Sequence, residues 1–208
     1  MLLNPNNKGR KLLDKKRVIV VTDGDSTAQK AVEEASRKLN LRVISKSGGN
    51  PTPCSGKKLL SLIQDCPTDP VVVMFDDEGN FNCGKGEHAM EKVMDSDDIE
   101  ILGVVAVASN AKDVKGIHPD CSITCEGKLV SRPVDKEGEA EKEGHFVLEG
   151  DTVDVLNRFD DDLIIVGIGD VGKMSGKDNC EIGAPITTKA LEEILKRSGV
   201  NGRKKDQD

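Results

Sequence analysis

Apolar residues in this chain fall into short unbroken runs, separated by stretches in which they recur at helical spacing. Val18-Ile19-Val20-Val21, Val71-Val72-Val73-Met74-Phe75 and Leu163-Ile164-Ile165-Val166 are rich in β-branched residues and show no polar alternation. Strands covered on both faces of a parallel sheet require that pattern. After the first run, Ala28, Ala31, Val32, Ala35 and Leu39 trace one buried helical face, with Ser26 to Gln29 reading as a capping box. Residues 41–45 are expected as a second strand, and Ser55 as the cap of a helix through Leu59, Leu60, Leu62 and Ile63. Asp69-Pro70 then opens the third strand, Ala89, Met90, Val93 and Met94 line a short helix, and 99–108 forms the fourth strand. Residues 120–132 break the rhythm and predict a hairpin, Ser122-Ile123-Thr124 returning through Glu126-Gly127 to Lys128-Leu129-Val130. A short helix over 152–159, a fifth strand over 163–168 and a closing helix over 187–197 follow, with Gly199 suited to a left-handed cap.

Strand–helix alternation of this kind predicts an α/β fold: a single doubly wound, mostly parallel sheet of about five strands, helices on both faces, and the hairpin near 120–132 appended. The expected organisation is one domain over 17–200, a disordered basic arm over 1–16 and a disordered tail over 201–208.

Composition narrows the function. The 208 residues carry a net charge of −7, no Trp or Tyr and four Phe. Nucleic-acid binding wants a basic face and aromatic platforms, so no nucleic-acid partner is expected. The longest apolar run, 101–108, falls well short of the ~18 residues of a membrane span, and Met1-Leu2-Leu3 leads into no signal-like core, which predicts a soluble protein. The arm, with Lys8, Arg10, Lys11, Lys15, Lys16 and Arg17, reads first as a solvated tail and second as a contact for anionic lipid or a partner. Six scattered cysteines predict reduced thiols. In His118, Asp120, Cys121 and Cys125, an extended backbone would hold the two thiols roughly 13 Å apart, too far to share one zinc. Residues 135–162 hold eleven acids against three bases without a twelve-residue calcium loop, and are read as a solvated face.

Chemistry concentrates where the apolar runs end. Asp23 and Asp25 follow the first strand, Asp76 and Asp77 the third, and Asp170 the fifth. In open α/β sheets that edge holds ligands. Two carboxylates about 4 Å apart repel by roughly 4 kcal/mol at an effective dielectric near 20, so such a rim needs spacing, protonation or a cation. Lys173 is the internal candidate. Ser47, Asn50 and Gly169 join these residues as the expected rim, with Asp23, Asp25 and Asp76 the expected metal ligands. No cofactor is demanded, and Ca²⁺ or Mg²⁺ is the cation such a rim would take. Capping of local backbone is the competing role of the same aspartates.

Three enzymatic templates compete. Asp23-Gly24-Asp25-Ser26-Thr27 resembles the nucleophile motif of haloacid-dehalogenase-like phosphotransferases, which would make the protein a Mg²⁺-dependent phosphotransferase or phosphatase using Asp23 and Asp25, with Gly169-Asp170 and Asp178 as a loose late acidic motif. Gly167-Ile168-Gly169-Asp170-Val171-Gly172 has the letters of a dinucleotide fingerprint, but some fifteen residues separate it from the next helix. The same stretch nearly spells a phosphate-binding loop, with Met174 where a magnesium-ligating hydroxyl should stand.

Longer segments carry more weight: Val20-Val21-Thr22-Asp23-Gly24-Asp25, Gly49-Asn50-Pro51-Thr52 with Ser55-Gly56, Asp69 through Asp77, Gly103 through Ser109, Val166 through Asp178, and Pro185-Ile186-Thr187 with Arg197-Ser198-Gly199. Together they resemble the soluble stage V sporulation protein AE family of spore-forming Firmicutes over about 17–199. The resemblance implies a soluble, non-enzymatic accessory of sporulation and germination, placed in the forespore or spore at the periphery of the inner membrane. It implies membrane proteins of the same operon as partners, and calcium dipicolinate as the material handled. It brings no catalytic residues, and homo-oligomerisation is left open.

Overall fold

The computed structural model describes residues 15–77, 84–110, 114–150, 152–159 and 162–200. The tail at 201–208 and all of the arm except its last two residues lie outside them. Strand β1 (Lys16–Val21) leads into helix α1 (Ser26–Lys38), then β2 (Arg42–Val43), α2 (Gly56–Asp65), β3 (Val71–Met74), α3 (Lys85–Met94) and β4 (Ile99–Val107). The hairpin strands β5 (Cys121–Ile123) and β6 (Leu129–Val130) precede β7 (Ile165–Ile168) and the closing helix α4 (Pro185–Arg197). One seven-stranded sheet runs in the order β2-β3-β1-β4-β7-β5-β6. All neighbours are parallel except β5 and β6. The hairpin thus extends the main sheet through a parallel pairing of β5 with β7.

Register explains why the strands are uniformly apolar. Val73, Val20, Val104 and Ile165 form one row across the sheet, and Met74, Val21, Val105 and Val166 form the next. The first row packs into a core with Leu59 and Ile63 of α2 and Met90 and Val93 of α3. The second packs into a separate core with Ala28, Ala31, Val32 and Ala35 of α1 and Ala190, Leu191 and Ile194 of α4. Successive side chains point to opposite faces, and here both faces are covered, so neither set can be polar.

Several expected elements differ in extent. The second strand shrinks to Arg42–Val43, because residues 45–47 wind into a 3₁₀ turn in which the Ser47 hydroxyl accepts from the Met74 amide at 2.9 Å. The helix expected over 152–159 is a 3₁₀ turn over Asp154–Arg158. Lys16, expected in the arm, belongs to β1 and donates its ammonium to the Cys66 carbonyl. Helix α1 is capped by Asp25, which accepts from the Thr27 and Ala28 amides at 2.8 Å, and Ser26 is its first residue. A charged acceptor at the positive end of a helix outcompetes the neutral hydroxyl beside it.

Candidate functional site

Asp23, Asp76 and Asp170 each stand two residues beyond the last residue of their strand, β1, β3 and β7. Adjacent parallel strands in register therefore bring these carboxylates to one edge of the sheet. They line an open cleft of about 280 Å³ together with Asp25, Asn50 and Lys173. The connection leaving β1 passes to the α1 face and that leaving β3 passes to the α3 face, which opens the crevice between them.

The Lys173 ammonium lies 2.8 Å from a carboxylate oxygen of Asp25 and 2.8 Å from one of Asp170, bridging α1 to the loop after β7. Burial would lower the Lys173 pKa, but its hydrogen bonds to Asp170 and Asp25 raise it well above its ordinary value. Burial works to raise Asp25 in turn, and the Lys173 hydrogen bond with the Ala28 and Thr27 amides holds it below its ordinary value. Asp25 is thus an ionised cap and ion-pair partner at once.

Asp23 is in the opposite situation. Its carboxylate accepts from the Asp25 amide at 3.3 Å, and among the described residues it forms no ion pair. Burial, then the charges of Asp25 and Asp76, push its pKa up to about 7. The buried Asp76 accepts from the Gly24 amide at 3.3 Å, while its own amide donates to the Thr52 hydroxyl at 2.9 Å. Its fixed position brings a second carboxylate toward Asp23. The Asp25 amide and the Lys173 charge oppose that push and offset only part of it, so Asp23 is the carboxyl that the cleft least favours in ionised form.

Three expected rim residues lie elsewhere. Ser47 is buried beneath the edge and bonds the β3 backbone. Asp77 is buried and accepts from the Gly86 and Glu87 amides, capping the first turn of α3. Gly169 lies beneath the 136–138 backbone, where a Cβ would stand 2.6 Å from the Gly138 nitrogen. Among the described residues no three His, Cys, Asp or Glu side chains are grouped to hold a metal ion, so Asp23, Asp25 and Asp76 form no ready coordination triad. The Cys125 thiol instead meets Glu139 at 3.0 Å and Lys177 at 3.2 Å.

Asp178 is fully buried, accepting from the Gly172, Ile186 and Thr187 amides and the Thr187 hydroxyl. It anchors the start of α4 and stays out of the cleft. The fingerprint-like run at 167–172 opens onto 3₁₀ turns at Met174–Gly176 and Cys180–Ile182 before α4 begins. No helix N-terminus is presented there to a pyrophosphate, and Met174 is buried in the core.

Lys136, Ser109 and Asn110 also line the cleft and were not expected there. Ser109 is two residues past the end of β4, the same position that carries Asp in β1, β3 and β7. Lys136 arrives from a tight turn in which Asp135 accepts from the Glu137 and Glu139 amides, and its carbonyl accepts from the Asp170 amide at 2.8 Å. The sequence announces that turn but not its destination.

No curated protein and no solved structure matches the chain. Among the described residues no helix is long and apolar enough to cross a membrane. Residues 17–198 match the family described as Stage V sporulation protein AE1, a span that takes in every strand-end aspartate and Lys173. The chain belongs to that sporulation family.

Proposed function

We propose that this protein is a soluble, non-enzymatic accessory of sporulation and germination, working beside membrane proteins of its own operon at the inner membrane of the forespore or spore. Its cleft is the ligand site, and calcium dipicolinate, or the bare Ca²⁺ or Mg²⁺ ion, is the ligand class that suits it. One observation carries the reading: Asp23 sits beside Asp76 with no cation of its own, while Lys173 is spent on Asp25 and Asp170. An arriving divalent cation replaces the proton that Asp23 otherwise retains near neutral pH. Lys136, which also lines the cleft, offers a positive charge to the carboxylates of a chelated ligand.

The phosphotransferase reading is supported less well, because Asp178, its late acid, is committed to capping α4.

Isothermal titration at pH 7 with Ca²⁺, Mg²⁺ and calcium dipicolinate tests the proposal. Binding with proton release is expected from at least one, seen as a heat that varies with buffer ionisation enthalpy and vanishes in Asp23→Asn. Absence of heat from all three at millimolar concentration removes the ligand site. Mg²⁺-dependent hydrolysis of a generic phosphate ester, lost in Asp23→Asn, would establish the enzyme instead.

A further inference from the structure

Away from the strand-end cleft, the N-terminal end of α2 packs along α3 beside a groove of about 590 Å³. The helices come this close because Gly56 opens α2: a Cβ there would stand 2.5 Å from the Lys92 Cβ and 2.9 Å from the Ala89 carbonyl. Pro53, Cys54 and Ala89 give the groove an apolar floor, and Lys57, Lys85 and Lys92 stand on its walls. Among the described residues no carboxylate lines it and none of these lysines enters an ion pair. The nearby Glu91 is already engaged by Arg158 and His88. In a chain of net charge −7, three uncompensated lysines around an apolar floor describe a receptor for something acidic with an apolar anchor.

The molecule carries such an anchor. Phe146 is 64% exposed, a rare aromatic in a chain with four Phe and no Trp or Tyr. It projects from the acid-rich stretch, with Glu141 and Glu143 before it and Glu149 after it. Leu148, two residues on, is buried in the same core as Ala89 and anchors the segment that carries Phe146. Aromatic side chains seated in desolvated pockets dominate interface energetics, and flanking charges of opposite sign fix their register. We infer that Phe146 of one copy docks in the Lys57/Lys85/Lys92 groove of a second copy, the glutamates around it facing those lysines. Reciprocal exchange about a two-fold axis closes this contact into a dimer. The interface uses none of the cleft-lining residues themselves, although Glu149 adjoins the cleft through its carbonyl, which accepts from the Ser109 amide at 2.9 Å.

Sedimentation velocity on the full chain at low salt, from micromolar to near-millimolar concentration, tests it. The expected result is a concentration-dependent dimer that weakens as salt is raised. Phe146→Ala, which alters an exposed side chain and leaves the core intact, weakens dimerisation by at least about tenfold. The Lys85→Glu/Lys92→Glu variant does the same. Mixing the two variants restores association, because each supplies the half the other lacks. Phe146→Cys, treated with a mild thiol oxidant, forms an intermolecular disulfide with Cys54 that disappears when Cys54→Ser is added. A wild type that stays monomeric throughout, including one whose groove captures a different acidic protein, overturns the inference, as does a dimer indifferent to Phe146→Ala.

Discussion

Asp23 illustrates how one side chain can carry function at a cost to stability. Its carboxyl, ordinarily at 3.8, titrates at about 7 in the fold because burial and the neighbouring Asp25 and Asp76 charges disfavour ionisation. Between those two pH values the folded chain binds a proton that the unfolded chain has released. The stability linked to that proton is fully present below 3.8 and is lost as pH rises through about 7. Asn at position 23 is neutral at every pH. Asp23→Asn is therefore expected to be more stable than wild type above pH 7, by at most about 4 kcal/mol since the cleft admits water, with the difference fading toward pH 4. Urea unfolding midpoints across that range measure it, and a constant or reversed difference would refute the account of Asp23. At this scale the sequence was informative about residue type and position, placing Asp23, Asp76 and Asp170 at strand ends. It could not reveal that Asp77 faces the α3 amides, whereas Asp76 beside it faces the cleft. That division follows from which way each Cβ points in the folded backbone.

Among the elements, the loop from β7 to α4 does the most to shape the site. Met174, Ser175 and Ala184 adopt positive φ of 44°, 54° and 44°, a conformation that L-residues hold only when their surroundings impose it. Asp178 provides that constraint through hydrogen bonds to Gly172 on one side and to Ile186 and Thr187 on the other. Asp178→Ala would leave these buried donors without an acceptor and is expected to destabilise the protein by about 3–5 kcal/mol. Asp178→Asn, which keeps one carbonyl acceptor, should lose roughly half as much. Thermal or urea unfolding distinguishes the two, and a neutral Asp178→Ala would mean that the loop is held by other contacts. Because this loop presents Asp170 and Lys173, the same substitution should also weaken any ligand bound in the cleft. Helical periodicity and caps made α1, α2 and α4 readable from the sequence to within a few residues. The motif-like glycines at 167–172 were misleading, because close backbone packing calls for the same residue type as phosphate binding does.

For the molecule as a whole, β1 and β4 occupy the centre of the sheet between the two helix layers, while β6 is a two-residue edge strand with half-exposed Leu129. Native-state hydrogen exchange should find the amides of Val18 to Val21 and Val104 to Val107 slowest, and those of β5 and β6 opening at markedly lower free energy. Uniform protection across the sheet would contradict this. The sequence by itself determined the fold class, the doubly covered sheet, the appended hairpin and the family, because each is written in local periodicity or in long ordered segments. Strand order, and with it the meeting of Asp23 with Asp76 and of Lys173 with Asp25, was decided only in three dimensions. Lys136 over the cleft and the groove at Gly56 arose in the same way. The physical reason is that the apolar strands are nearly interchangeable in local pattern. Their neighbours are selected by how the two helix layers pack against both faces at once, and no short window of sequence encodes that.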